Sequence, residues 1–356
     1  MIRVGFLSAV RHAESYFPTF LADPRTTVVG VAEESDAAEW IQSDSRRFAG
    51  QHGLPLMSVA ELLAPGVCDL VVACSEPTRH AALAITALDA GIDVLIDKPV
   101  AVNVAEADRI LAAQERSGAV ACVVNRLRSP AVERLRGWID AGHLGLPLHV
   151  DVEWFASGAH FSTSVERPEL VTDPELSGGG ELLNFLLYPV DYIRFLTGLE
   201  VVEVYAEAAT LFQQPHRDAG VEDSAVVSLL LENGVTATVT LARAAAAPGH
   251  GPVSSSVRVL GSHGHAVADD DKPAIAVYRT DGLQTARPVS GASSVVAVTR
   301  YLDELIGALS AGGAPKYTLK DARASLAVTE ACYCAIRDAR PITLGEEGAR
   351  GRRSEQ

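Results

Sequence analysis

Over the first third of the chain, short β-branched apolar runs alternate with helix-like text. The runs Ile2 to Leu7, Thr27 to Ala32, Leu70 to Cys74, Asp93 to Ile96 and Val120 to Val124 read as strands. They are apolar throughout rather than alternating, as strands covered on both faces by crossover helices are. This predicts an α/β fold whose first part, residues 1–124, is a Rossmann-type, doubly wound parallel sheet. Right-handed crossovers bring the loop-bearing strand ends to one edge, where such sheets bind ligands.

From about Leu148 the pattern lengthens into partly alternating strands: LHVDVEWF, VEVYAEAAT, SAVVSLLLENGVTATVTLA, SSSVRVLGSHGHAVAD and AIAVYRT. Joins such as Glu232-Asn233-Gly234 mark hairpins. Residues 125–344 are therefore expected to form a second α/β domain with a large, mostly antiparallel open sheet. Helical text lies at Glu181 to Leu196, Val296 to Ala311 and Leu319 to Asp338, and the last helices have the option of packing back on the first domain. The tail, residues 345–356, has no apolar content and reads as disordered. Runs such as VVSLLLENGVTATVTLA promise more apolar surface than one helix covers, which predicts a homodimer or homotetramer through this sheet.

A length of 356 residues agrees with two domains. The formal charge of −15, from 45 acidic and 30 basic residues, comes with no Lys/Arg stripe, which argues against nucleic acid and anionic membrane as partners. No apolar run reaches the ~18 residues that span a bilayer, and MIRVGFLSAV lacks the flanks of an export signal, so a cytoplasmic location is expected. The 5 cysteines form no C-x-x-C pair and read as reduced core residues, with no metal site indicated.

The candidate chemistry sits at the strand ends. Where strand one turns into a helix, a dinucleotide pyrophosphate would rest on helix N–H groups. The G-x-G-x-x-G fingerprint falls on Ser8-Ala9-Val10-Arg11-His12-Ala13 and keeps only its last, small position. Glu33 ends the second strand 20 residues after Ala13, the step to a ribose-binding carboxylate. A carboxylate accepts a ribose 2′-hydroxyl and repels a 2′-phosphate, and neither Glu34 nor Ser35 brings a compensating cation, so NAD is expected rather than NADP. Ser75-Glu76-Pro77-Thr78 with His80 opens a helix at the same edge, and Ser75 or Thr78 is expected to cap it; a plain capping turn explains the segment as well as a ligand does. In GIDVLIDKPV, Lys98 leaves an apolar strand and is followed by Pro99, a setting that aims it into the ligand crevice. Along GGGELLNFLLYPVDYIRFLTG, the polar residues Glu181, Asn184, Tyr188 and Asp191 recur on one helical face. They either bind something or complete a buried hydrogen-bond network.

Taken in order, the degenerate loop with Glu33, Pro77-x-x-His80, AGIDVLIDKPV, NRLRSP, SGGGELLNFLLYPVDYIRFLTG, VEDSAVVSLLLENG and VLGSHGHA resemble the Gfo/Idh/MocA oxidoreductases, from about residue 2 to about residue 344. The resemblance implies a cofactor-binding Rossmann domain, a C-terminal α/β domain and a small polyhydroxylated substrate such as a sugar or cyclitol. It assigns Lys98 as the catalytic lysine, with Asp97 where most members have Glu. It places Tyr188 where most have His, as in the glucose-fructose oxidoreductase branch, and Asn184 where most have Asp. Asn184, Asp191 and His160 are then expected at the substrate. Ser8, Ala9, Val10, Arg11, His12, Glu33, Ser75, Pro77, His80, Asp97, Lys98 and Arg126 are expected at the cofactor. The competing reading is a catalytically silent nucleotide- or sugar-binding protein, for which Val10 in the place of the second glycine is the best sequence evidence.

Overall fold

A computed structural model describes residues 1–158, 167–244, 253–269, 274–279, 284–288 and 294–345. The chain folds into two compact units. The first is Met1–Val124 with Glu175–Gly178 and Thr299–Arg323; the second is Asn125–Pro174, Gly179–Val298 and Ala324–Gln356. Among the described residues, no helix is long and apolar enough to cross a membrane, and no cluster of His, Cys, Asp or Glu has a metal-holding arrangement.

The first unit is built on a parallel sheet of β1 (Ile2–Leu7), β2 (Thr26–Glu33), β3 (Leu56–Ser58), β4 (Leu70–Ala73), β5 (Asp93–Ile96) and β6 (Ala121–Val123), in the order β3-β2-β1-β4-β5-β6. The order reverses between β1 and β4, the switch point that opens a crevice at the carboxyl ends of the strands. The hydrophobic pattern locates the central strands because they are buried on both faces. It misses β3, an edge strand of 3 residues whose Leu56 is exposed. Phe6 of β1 packs against Phe17 and Phe20 of the helix Ala13–Ala22 and against Phe48 of the helix Glu39–Gln51, seating both helices on the sheet.

The second unit carries β7 (Pro147–Ser157), β8 (Val201–Ala209), β9 (Ser224–Leu231), β10 (Thr236–Ala244), β11 (Val253–Gly261), β12 (Gly264–Asp269), β13 (Ala274–Arg279), β14 (Gln284–Pro288) and β15 (Ile342–Thr343). Their order is β14-β13-β12-β11-β7-β10-β9-β8-β15, with only the β7–β10 pair parallel. The Glu232-Asn233-Gly234 join turns β9 into β10, with Asn233 at φ 61 and Gly234 at φ 77, the backbone that favours Asn-Gly in a hairpin. One sheet face buries Val150, Val152, Trp154, Val227, Val239 and Val257 under the helices Glu181–Phe185 and Leu187–Thr197. The single helix expected from Glu181 to Leu196 is thus two. Pro189 has no N–H to give the carbonyl of Phe185, and the hydrogen-bond ladder breaks there. The other face is mixed, with Asp151 bonded to Thr238 and His149 to Thr236, while Val226, Leu230 and Leu260 stand exposed among them.

Candidate active site

At the end of β1 the backbone takes the shape that glycine usually supplies, without glycine: Ser8 has φ 64 and His12 has φ 56. Left-handed backbone strains a side-chain-bearing residue, so the surroundings must hold it. Ser8 N–H donates to Ala32 O at 2.8 Å, Ala9 N–H to Ser45 Oγ at 3.0 Å, and the N–H groups of Val10 and Arg11 both to Cys74 O at 2.9 Å. The turn is therefore pinned to β2, to the helix Glu39–Gln51 and to the end of β4. Val10 and Arg11 are both packed inside it.

Asp97 and Lys98 follow β5 directly, and both are buried. Asp97 accepts hydrogen bonds from Tyr16 Oη at 2.6 Å and from His12 Nδ1 at 2.7 Å. Burial works against its ionisation, but the pairing with His12 and the nearby charge of Arg11 outweigh it and hold the carboxyl well below the usual range. Burial likewise pushes the His12 imidazole down, against the opposing pull of Asp97. The buried His80 ring lies between Pro99 O at 2.6 Å and Ser75 O at 3.1 Å, tying the residue after Lys98 to the turn after β4. Neither Ser75 nor Thr78 caps the helix that follows. Ser75 Oγ bonds Glu76 O at 3.0 Å and Thr78 Oγ1 bonds Glu175 O at 3.0 Å, because the 3-10 turn Pro77–Arg79 stands between them and the helix His80–Asp89.

Glu33 ends β2 as the spacing requires, but a cation lies beside it after all. Arg79 Nη1 is 2.9 Å from Glu33 Oε1 and 2.7 Å from Glu34 Oε2. The sequence neighbours of Glu33 offered no basic group; tertiary folding brings one from 46 residues away. Glu33 Oε2 also accepts from Ser45 Oγ at 2.8 Å. Sequence reasoning passed over Arg79, Ser45 and Tyr16. The only signal for Arg79 was its place inside Pro77-x-x-His80 at the ligand edge.

In the second unit, Tyr188 is buried and stacks on Trp154, with centroids 5.0 Å apart and planes at 22°. The Arg126 guanidinium lies over both rings, 4.5 Å from the Tyr188 centroid and 5.1 Å from that of Trp154. A cation on the face of a phenol ring stabilises negative charge on it. Asn184 donates to Glu181 Oε2 at 2.9 Å, and Asp191 accepts from Ser325 Oγ at 2.5 Å. Glu181 also pairs with Arg243 and with His216 Nε2 at 2.9 Å. The polar face of GGGELLNFLLYPVDYIRF is thus an internal network for at least Glu181, Asn184 and Asp191. The glycines before it are sites of close approach: a Cβ on Gly179 would stand 2.5 Å from Tyr333 Oη, and one on Gly180 would stand 2.4 Å from Glu222 O. His160 lies outside the described residues, as does nearly all of the tail.

A parallel sheet of this strand order, with an acid ending β2, is the architecture of a doubly wound dinucleotide-binding domain. The matching family models are the oxidoreductase family with an NAD-binding Rossmann fold over residues 2–125 and the GFO/IDH/MocA C-terminal domain over residues 132–267. The chain belongs to the Gfo/Idh/MocA oxidoreductases. It is 28% identical over 241 residues to an uncharacterized oxidoreductase, YrbE, of Bacillus subtilis, covering 67% of this chain and 62% of that protein's length. It is 25% identical to the inositol 2-dehydrogenase of Rhizobium meliloti over 96% of this chain and 99% of that one. Among solved structures, GenD2 from gentamicin A biosynthesis, in complex with NAD, superposes with a TM-score of 0.80 at 21% identity, over 97% of this chain and 96% of that one.

Proposed function

We propose that the protein is a cytoplasmic NAD(P)-dependent dehydrogenase or reductase that moves a hydride to or from the secondary alcohol carbon of a sugar, cyclitol or similar polyol. The observation that carries this reading is Lys98, buried at the carboxyl edge of the parallel sheet directly after an ionised, doubly hydrogen-bonded Asp97. The names of relatives, inositol 2-dehydrogenase and D-apiose dehydrogenase among them, favour a polyol substrate.

The residues present fit a dinucleotide at the adenosine end, where Glu33 stands at the end of β2, and at the start of the helix Ala13–Ala22, where small Ala13 allows close packing. Nicotinamide, when bound, supplies the hydride chemistry. In this reading Ser8 to His12, Glu33, Ser75, Pro77, His80, Asp97 and Arg126 hold the cofactor. Lys98 donates to the reacting oxygen and stabilises it as an alkoxide, while the Tyr188 hydroxyl, under the Arg126 cation, carries the proton. Asn184 and Asp191, fixed by Glu181 and Ser325, set where substrate oxygens are received.

NADH is expected to bind more tightly than NADPH, because Glu33, Glu34 and Glu76 surround a single guanidinium and the excess charge there is negative. Fluorescence titration of both decides it; equal affinity or preference for NADPH removes Glu33 from this role. The silent-binding reading draws on one observation, the internally satisfied N–H groups of Ser8 to Arg11. A panel of sugars and cyclitols screened for NADH formation or oxidation separates the two. We also propose that Val226, Leu230 and Leu260 belong to a face covered by a second copy. Light scattering at micromolar concentration should give a dimer or tetramer, and a mass of 37.5 kDa refutes it.

A further inference from the structure

Arg79 lies where the strand order of the first unit reverses. It ends the 3-10 turn after β4, yet its guanidinium reaches Ser8, which follows β1, and Glu33 at the end of β2. Every N–H of the guanidinium has an acceptor within reach. Nε donates to Glu76 Oε1 at 2.5 Å, and Nη2 to Glu76 Oε2 at 3.0 Å and Ser8 Oγ at 3.4 Å. Nη1 donates to Glu33 Oε1 at 2.9 Å and Glu34 Oε2 at 2.7 Å. Glu33 leads on, through Ser45 Oγ, to the N–H of Ala9. One side chain thus joins the β1 turn, the end of β2 and the turn after β4.

Burial opposes the charge of Arg79, but Glu76 and Glu33 outweigh that and keep it a permanent cation. A planar guanidinium beside the carboxylate that meets the adenosine ribose has the geometry that holds a phosphate monoester bidentately. What withholds it from phosphate is the set of carboxylates already occupying its donors. We propose that Arg79 is a specificity-determining residue for the adenosine end of the dinucleotide. Held by Glu33, Glu34 and Glu76, it leaves the site to the 2′-hydroxyl form; released from Glu33 and Glu34, it becomes the ligand of a 2′-phosphate. The inference rests on the dinucleotide reading above and assigns to a residue outside the glycine-loop motif the choice between the two cofactors.

The test is equilibrium fluorescence titration of NADH and NADPH against the whole chain, in four proteins: the natural sequence, Glu33→Gln/Glu34→Gln, Arg79→Gln, and the triple variant. The double variant should bind NADPH roughly tenfold or more tightly than the natural protein, and the triple variant should lose that gain. Arg79→Gln alone should bind NADPH no more tightly than the natural protein, because it keeps the carboxylates and removes the cation. A gain in NADPH affinity that survives removal of Arg79 shows that deleting carboxylates suffices and overturns the assignment, as does the absence of any gain. Should the triple variant not fold, Arg79→Lys in the double background carries the test. The ammonium keeps the charge without the fork, so the gain should shrink by about threefold or more, and its full retention counts against Arg79 as a bidentate ligand. If the natural protein binds neither dinucleotide, the functional reading and this inference fall together; if it binds NADH and only the swap fails, this inference alone is wrong.

Discussion

Lys98→Met is expected to lower turnover roughly a hundredfold or more while dinucleotide affinity changes little, since it removes a positioned cation and proton partner but keeps an unbranched stem. The buried setting of Lys98 argues for so large an effect, because a charge that is not diluted by water acts strongly on a developing alkoxide. Tyr188→Phe removes only a hydroxyl and leaves the ring free to stack on Trp154 and under Arg126, so its fold should be intact. If the two residues share one proton-transfer task, the double variant will be scarcely slower than the slower single variant. The measurement is kcat with the best substrate from the sugar and cyclitol screen, alongside NADH titration of each variant. Full activity in both single variants sinks the proton-relay assignment.

Glu181→Gln should destabilise the protein by about 3–5 kcal/mol, because it removes the charged partner of the buried Arg243 guanidinium. Replacing Arg243 by Met in the same background should recover part of that loss, since an apolar pair of similar volume avoids the desolvation of either charge. The pH dependence follows from the carboxyl itself. Burial would raise Glu181, but the charge of Arg243 and the hydrogen bonds of His216 and Arg243 lower it from 4.5 to about 2. Its contribution is therefore fully present above 4.5 and lost as pH falls through about 2, and the difference corresponds to about 3 kcal/mol. Urea unfolding followed from pH 7 down to pH 3 should show the natural protein losing stability over a range where Glu181→Gln has none of that component left to lose. Parallel curves would mean that Glu181 is not the group responsible.

Where a single periodicity decided the outcome, the sequence was enough. The strands of the first unit were legible because they are buried on both faces, and the β9–β10 turn because Asn233 and Gly234 tolerate positive φ. Lys98 could be singled out because an apolar strand followed by Lys-Pro leaves a charge with one direction to go. The edge strand β3 was not legible, since 3 exposed or half-exposed residues carry no burial signal.

The site divided along the same line. Spacing alone put Glu33 at the end of β2 and predicted a shared helical face for Glu181, Asn184, Tyr188 and Asp191, but left open whether those residues bound a ligand or bonded internally. That depended on Arg243, His216 and Ser325, which are 62, 35 and 134 residues away from their partners. Glu34 and Ser35 bring no cation to Glu33, but charge acts through space, and Arg79 is distant along the chain yet 2.9 Å away in the fold. Local sequence determined the elements and the residue types at their ends, because hydrophobic period and backbone restriction are properties of neighbouring residues. Only the tertiary structure decided which charges are paired, because ion pairs and buried hydrogen bonds are made between whichever groups the packed sheet and helices bring together.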